Sequence, residues 1–262
     1  MKRRVLIITN AGKVGASNYC DGVLKDKENY VSFFTSAYGG YFSNSEIKIL
    51  NKPIKSALKS ELSALTLDNI EFSIIVFCGH GWYSTRSESN ILCLNDLGEE
   101  IDSLDLRTNY NKRIIIEDCC REKHDEYISD SLLKAFSGVR LFESSGKILN
   151  PEECKRYYNK TIEECPKQLI CAMASDIDET AGDDSRIGGY YSASLLKETE
   201  SMVENALDNI DLSKKYRAFN FPSCHIGAAP RVQKRSGNKQ NPQIEKPRFN
   251  EGKSYLPFAI IA

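Results

Sequence analysis

Residues 113–122 read RIIIEDCCRE. Ile114, Ile115 and Ile116 are consecutive β-branched residues with no polar alternation, which suits a strand buried on both faces, as in a parallel sheet covered by helices. The apolar run stops at Glu117 and is followed by Asp118, Cys119, Cys120, Arg121 and Glu122. In open α/β sheets ligands bind just beyond the carboxyl ends of the strands, so the polar end of this run is where chemistry belongs. Upstream, a second apolar run, Ile74–Phe77, ends in Cys78-Gly79-His80-Gly81. Two buried strands are therefore expected to bring a histidine and a cysteine to one sheet edge.

The same reading extends outward. Lys2–Asn10 is apolar and then polar, a first strand, and Ala11–Lys25 reads as a loop at the reactive edge. Asp26–Ala37 is expected to be a helix with Tyr30, Val31, Phe33 and Phe34 on its apolar stripe, ended by Gly39-Gly40. Glu46–Leu50 alternates as a strand; Asn51 and Pro53 then suit a helix start, and Ile54, Leu58, Leu62 and Leu65 recur at helical spacing. Glu71–Phe77 is the next strand, and this alternation of strands and helices implies right-handed crossovers and a parallel sheet. Ile91–Leu94 and Glu99–Ile101 predict a hairpin, and Asp102–Thr108 a short helix.

Further on, His124–Phe136 and Gly188–Asp208 read as helices, and Gln168–Ala174 and Tyr255–Ile261 as strands. Ser137–Lys167 is weakly patterned, with Thr161–Cys165 reading as one further turn, while Ser223–Lys253 is polar and rich in Gly, Pro, Asn and basic residues. Both are expected to be mobile loops, as is Ala11–Lys25. No repeat or linker divides the chain. The expectation is one domain over residues 1–262: α/β, a three-layer α/β/α sandwich with about six mostly parallel strands.

Composition narrows the function. The 262 residues carry a net charge of −1, with 41% hydrophobic and 27% charged residues, as in ordinary globular proteins. No basic field argues for nucleic acid or an anionic membrane, and Arg231–Lys239 lacks interleaved aromatics. Nine cysteines, an odd count without a secretion signal, favour a reduced, cytoplasmic protein. There is no CxxC pair, and His80, His124 and His225 lack ligand spacing, so neither a metal nor any other cofactor is implied.

A thiol is a weak nucleophile until a base takes its proton, and a histidine from a neighbouring strand end can do that and then protonate the leaving amine. Backbone N–H groups of Cys120 and of Gly81, beside the histidine, are placed to stabilise an oxyanion. The alternative, that His80 caps a strand and the cysteines are buried filler, is the usual fate of an isolated thiol. Here both residues end apolar strands and Gly79 and Gly81 flank the histidine, which favours acyl transfer.

On these residues the chain resembles caspase-fold cysteine peptidases. FSIIVFCGHGWYS and RIIIEDCCRE resemble the two signature segments of caspases and metacaspases. RRVLIITNAG, YVSFFTSAYGGYFSNSEIKIL, ASDIDETAGDD with GGYYSASLL, and SYLPFAI lie where that family places comparable segments. The Asp-x-Cys spelling is similar to metacaspases and their bacterial relatives. The resemblance makes Cys120 the nucleophile, His80 its base, and Asp118 and Asp176 the carboxylates of a pocket that takes arginine or lysine. Two carboxylates in a partly dry pocket do prefer a guanidinium or ammonium partner. From Asp178 through Glu179, Asp183 and Asp184 the acidic stretch reads instead as a solvated loop or a cation site.

Cys119 stands where relatives usually have a small residue, so the sequence leaves the choice of thiol open, with position favouring Cys120. Arg121-Glu122 replaces the His-Ser-Gly that follows the metacaspase cysteine. The implied partners are protein or peptide substrates and a nucleotide-type small molecule or a protein as activator. Small stand-alone bacterial members often act in antiphage defence or programmed cell death, and the resemblance extends to that role. The competing expectation is a binding module on the same fold that senses a small signalling ligand, with little or no proteolysis.

Overall fold

The computed structural model describes residues 1–124, 149–212, 215–249 and 252–262. The first half of the chain runs β1 (Arg3–Asn10), α1 (Gly22–Thr35), β2 (Ile47–Asn51), α2 (Lys55–Leu67), β3 (Phe72–Gly79), β4 (Gly81–Ser84), β5 (Ser89–Cys93), β6 (Glu100–Asp102), β7 (Lys112–Asp118) and β8 (Lys123–His124). The second half runs α3 (Pro151–Glu164), β9 (Gln168–Met173), β10 (Asp183–Asp184), β11 (Gly188–Gly189), α4 (Tyr190–Leu207), β12 (Arg217–Asn220), α5 (Phe221–Ser236), β13 (Gln243–Glu245) and β14 (Pro257–Ile261).

Six strands form the central sheet in the order β13-β9-β7-β3-β1-β2. All of its neighbours pair parallel except β13, which runs antiparallel to β9. Side chains alternate across this sheet and divide the core in two. Ile7, Val76, Ile114 and Ile116 face Tyr30, Phe34, Tyr158, Tyr191 and Phe258, while Leu6, Ile8, Phe77 and Ile115 face Leu58, Leu65, Leu92 and Leu94. The alternation continues past the end of β7: Cys120 belongs to the first cluster and Cys119 to the second. Cys78 lies opposite Asp118 in the β3–β7 register, so His80 and Cys120, each two residues further on, leave the sheet side by side.

The predicted three-layer α/β/α arrangement and the β5–β6 hairpin are present. Four expectations need correction. Tyr255–Ile261 does not join the main sheet: β14 pairs antiparallel with β12, and β13 takes the edge position instead. Within Ser137–Lys167, residues 151–164 are helical, started by Asn150, whose side chain accepts from the N–H groups of Glu152 and Glu153. Only Cys154, Tyr158 and Ile162 of that helix are buried among many charges, which is why its pattern is faint.

Ser223–Lys253 is likewise helical as far as Ser236. Asn220 caps that helix, Cys224, Ala228 and Val232 face the core at a spacing of four, and Gly227 and Pro230 disguise it. Ala11–Lys25 is a loop only until α1 begins at Gly22. The helix expected over His124–Phe136 lies outside the described residues, apart from His124 at the end of β8. The β5–β6 hairpin belongs to a small sheet, β6-β5-β4-β8, whose strands β4 and β8 were not expected from the sequence.

Candidate active site

At the carboxyl edge a small cavity, partly open to solvent, is lined by His80, Cys120, Cys20, Asp26, Asp118, Asp183 and the neighbouring glycines. Cys120 is 7% exposed, and its Sγ accepts from the Ala181 N–H at 3.3 Å. His80 turns its Nε2 toward Cys20 Sγ at 3.7 Å, across the loop that follows β1. An added Cβ on Gly12 would come within 2.8 Å of His80 Nε2, so this loop rests directly on the imidazole.

Burial sets the electrostatics. It pushes the Cys120 thiol up to about 11 against the Ala181 N–H, which favours the thiolate. It also lowers His80 below its ordinary value, opposed by carbonyls of Asn18 and Ala11 and by the charge of Asp183. Burial thus favours a neutral thiol at Cys120 and a neutral imidazole at His80. Alkylation of Cys120 by iodoacetamide is therefore expected to keep accelerating from pH 7 to pH 10, since the thiolate fraction still grows tenfold per unit there. A rate that levels off near pH 7 would show a preformed ion pair instead.

The carboxylates are arranged around the first turn of α4. Asp118 Oδ2 accepts from Ser192 N–H at 3.0 Å and from Ser192 Oγ at 2.6 Å. Asp26, on α1 and 1% exposed, accepts the Gly189 N–H on both oxygens, at 3.0 and 2.9 Å. A Cβ on Gly189 would run into Asp118 Oδ2 and lie 3.1 Å from Asp26 Oδ2, so glycine lets the two carboxylates close on each other. Burial raises both, and Asp118 adds to the shift of Asp26. Asp183 Oδ2 accepts the Gly22 N–H at 2.8 Å and is also raised, mainly by burial.

The structure brings His80, Cys120 and Asp118 together. It places Cys119 elsewhere: 1% exposed in the opposite core, its Sγ 2.8 Å from where a Cβ on Gly81 would sit. Gly81 heads β4 and does not line the cavity. Asp176 does not line it either; its Oδ1 accepts from Ile177 N–H and its own N–H is held by Glu179. The third and second carboxylates are Asp183, which the sequence reading left in solvent, and Asp26, which it missed. A signal for Asp26 existed: it shares the buried face of α1 with Asn29, Tyr30 and Phe33, an acid on an apolar stripe. Cys20, ending the first loop, was also missed.

A parallel sheet with a histidine and a cysteine leaving adjacent strand ends, beside an acidic recess, defines a caspase-like domain. The chain belongs to the caspase-domain family of peptidases, whose model matches residues 2–251. Among solved structures it is similar to protein GSU0716 from Geobacter sulfurreducens, with 12% identity, both chains fully covered and a TM-score of 0.59. It is also similar to caspase-1 from Spodoptera frugiperda, with 10% identity, 93% and 86% of the two chains covered and a TM-score of 0.54. At such identities these likenesses speak to the fold. No curated protein matches the sequence. Among the described residues no helix is long and apolar enough to cross a membrane.

Proposed function

We propose that this chain is a cysteine endopeptidase that cuts protein substrates after arginine or lysine, with Cys120 as nucleophile and His80 as general base. The observation that carries the reading is the single cavity in which the thiol and the imidazole meet Asp26, Asp118 and Asp183. In this reaction Cys120 Sγ attacks the scissile carbonyl as its proton passes to His80, which then protonates the departing amine; water later releases the acyl group. The backbone N–H of Ala181, now on Cys120 Sγ, is free to donate elsewhere once the sulfur is acylated.

The specificity pocket in this proposal is Asp26 with Asp118, supported by Asp183, in place of the Asp118 and Asp176 pair expected from sequence. A guanidinium is planar and bidentate and matches two such carboxylates. The loop carrying Gly12 and Cys20 packs directly on His80, so it borders the path by which a substrate reaches the dyad. A role as a regulated effector of antiphage defence or programmed cell death rests on family resemblance.

The test is hydrolysis of fluorogenic peptides ending in arginine, lysine or aspartate. Cleavage after arginine and lysine with no cleavage after aspartate is the expected result. Cleavage after aspartate would overturn the acidic pocket and leave the dyad standing.

A further inference from the structure

On the face of the sheet away from Cys120, a buried row of polar side chains runs to the residue that follows the nucleophile. Glu117 is 0% exposed; its Oε2 accepts from the Asn90 amide, and its Oε1 has no hydrogen-bond partner. Asn90, 2% exposed on β5, turns its own oxygen to Arg121 Nε at 2.8 Å. Arg121 is 6% exposed, donates through Nη1 to the Ser175 carbonyl at 3.1 Å and lies 5.4 Å from the Tyr83 ring centroid.

The backbone of Arg121 completes a clamp. Its N–H donates to the Glu179 carbonyl and its own carbonyl accepts from Asp178 N–H, both at 2.8 Å. Ser175, Asp178 and Glu179 thus fasten one loop to the nucleophile's loop, and the same loop carries Ala181, whose N–H holds Cys120 Sγ. Sinking a carboxyl, an amide and a guanidinium into a core costs solvation that apolar side chains would not lose. What such a network supplies is a single arrangement of chain, because each member is placed by the next. Burial raises the Glu117 carboxyl, opposed by Asn90 and by Arg107 and Arg121. In either charge state Glu117 presents the acceptor that fixes the Asn90 amide.

On the peptidase reading given above, we propose that Glu117, acting through Asn90, is a positioning residue that holds Arg121, and with it the backbone around Cys120 and Ala181, in the geometry from which the thiol attacks. Glu117→Leu removes the acceptor and frees Asn90. Glu117→Gln keeps an acceptor at the same reach. Arg121→Lys keeps the charge but cannot serve Asn90 and Ser175 together.

The experiment measures kcat and KM on an arginyl peptide, per site titrated with an arginyl chloromethyl ketone, so that misfolded protein is not counted. Because a misplacement of about 1 Å costs on the order of 100-fold, Glu117→Leu is expected to lose about 10- to 100-fold in kcat with KM little changed. Glu117→Gln is expected to stay near the wild type. Should Glu117→Leu not fold, Arg121→Lys carries the same expected loss. In parallel, iodoacetamide should alkylate Cys120 faster in Glu117→Leu and Arg121→Lys, because the thiol is no longer held in its recess.

Unchanged kcat per titrated site in those two variants, or a loss in Glu117→Gln equal to that in Glu117→Leu, overturns the proposal. A wild type alkylated at Cys120 that hydrolyses no peptide sinks the peptidase reading instead. The positioning role is then judged on alkylation alone, with equal rates in all variants overturning it.

Discussion

Cys120→Ala is expected to abolish hydrolysis of arginyl peptides, a loss of at least about a thousandfold, because the acyl group is carried on its sulfur. His80→Ala is expected to lose about 10²- to 10⁴-fold, the usual range for removing a general base. Cys119→Ala is the informative control. One position along an extended chain reverses the side-chain direction, and Cys119 Sγ lies among Phe77, Leu92 and Leu94, behind the sheet edge. Its removal is expected to leave kcat per titrated site within about threefold while lowering thermal stability by the cost of a small cavity. A thiol count alone cannot separate the two cysteines, but mass-spectrometric mapping of an arginyl chloromethyl ketone adduct does. The adduct belongs on Cys120. Adduct on Cys20, which lines the same cavity 3.7 Å from His80, would reassign the nucleophile.

The centre of the sheet was legible because β1, β3 and β7 are unbroken apolar runs rich in β-branched residues, the signature of parallel strands covered on both faces. By contrast β13, three residues in a polar stretch, left no such mark. The His80 and Cys120 edge followed from the same runs, since register carries two strand ends to one place. What stayed hidden depended on contacts distant in sequence. Asp26 sits on α1, and its partner Gly189 is 163 residues away, so no local pattern couples them. Asp183 looked like one more charge in an acidic loop, yet its place is set by the Gly22 N–H across the cavity. Asp176 sat at the expected family position and faces a turn. Helices α3 and α5 were obscured for a different reason: α3 buries a narrow stripe under a coat of charged residues, and α5 carries Gly227 and Pro230 inside a continuous helix.

Asp118→Asn is expected to move activity and stability in opposite directions. A guanidinium bound between Asp26 and Asp118 loses one of its two counter-charges, and an unpaired buried charge costs about 3–5 kcal/mol. The expected fall in kcat/KM on arginyl peptides is therefore about 10²- to 10³-fold. Asp176→Asn, outside the cavity, is expected to stay within about twofold on the same substrate. In the folded state Asp118 is pushed up to about 6, first by burial and then by Asp183, against the two Ser192 hydrogen bonds that lower it.

A carboxyl whose pKa is raised on folding binds more protons folded than unfolded, so stability declines as pH climbs from about 4 through about 6. At neutral pH an ionised Asp118, buried beside Asp26 and Asp183, is thus held at a cost to the fold. An asparagine oxygen still accepts from Ser192 while removing one of the charges. The melting temperature of Asp118→Asn at pH 7 should accordingly rise above that of the wild type, and its decline between pH 4 and 6 should flatten. A variant that loses activity because it is damaged melts lower, not higher. An Asp118→Asn protein that melts below the wild type at pH 7, or that cleaves arginyl peptides normally, would show that these carboxylates form a structural cluster and that the substrate's cation binds elsewhere.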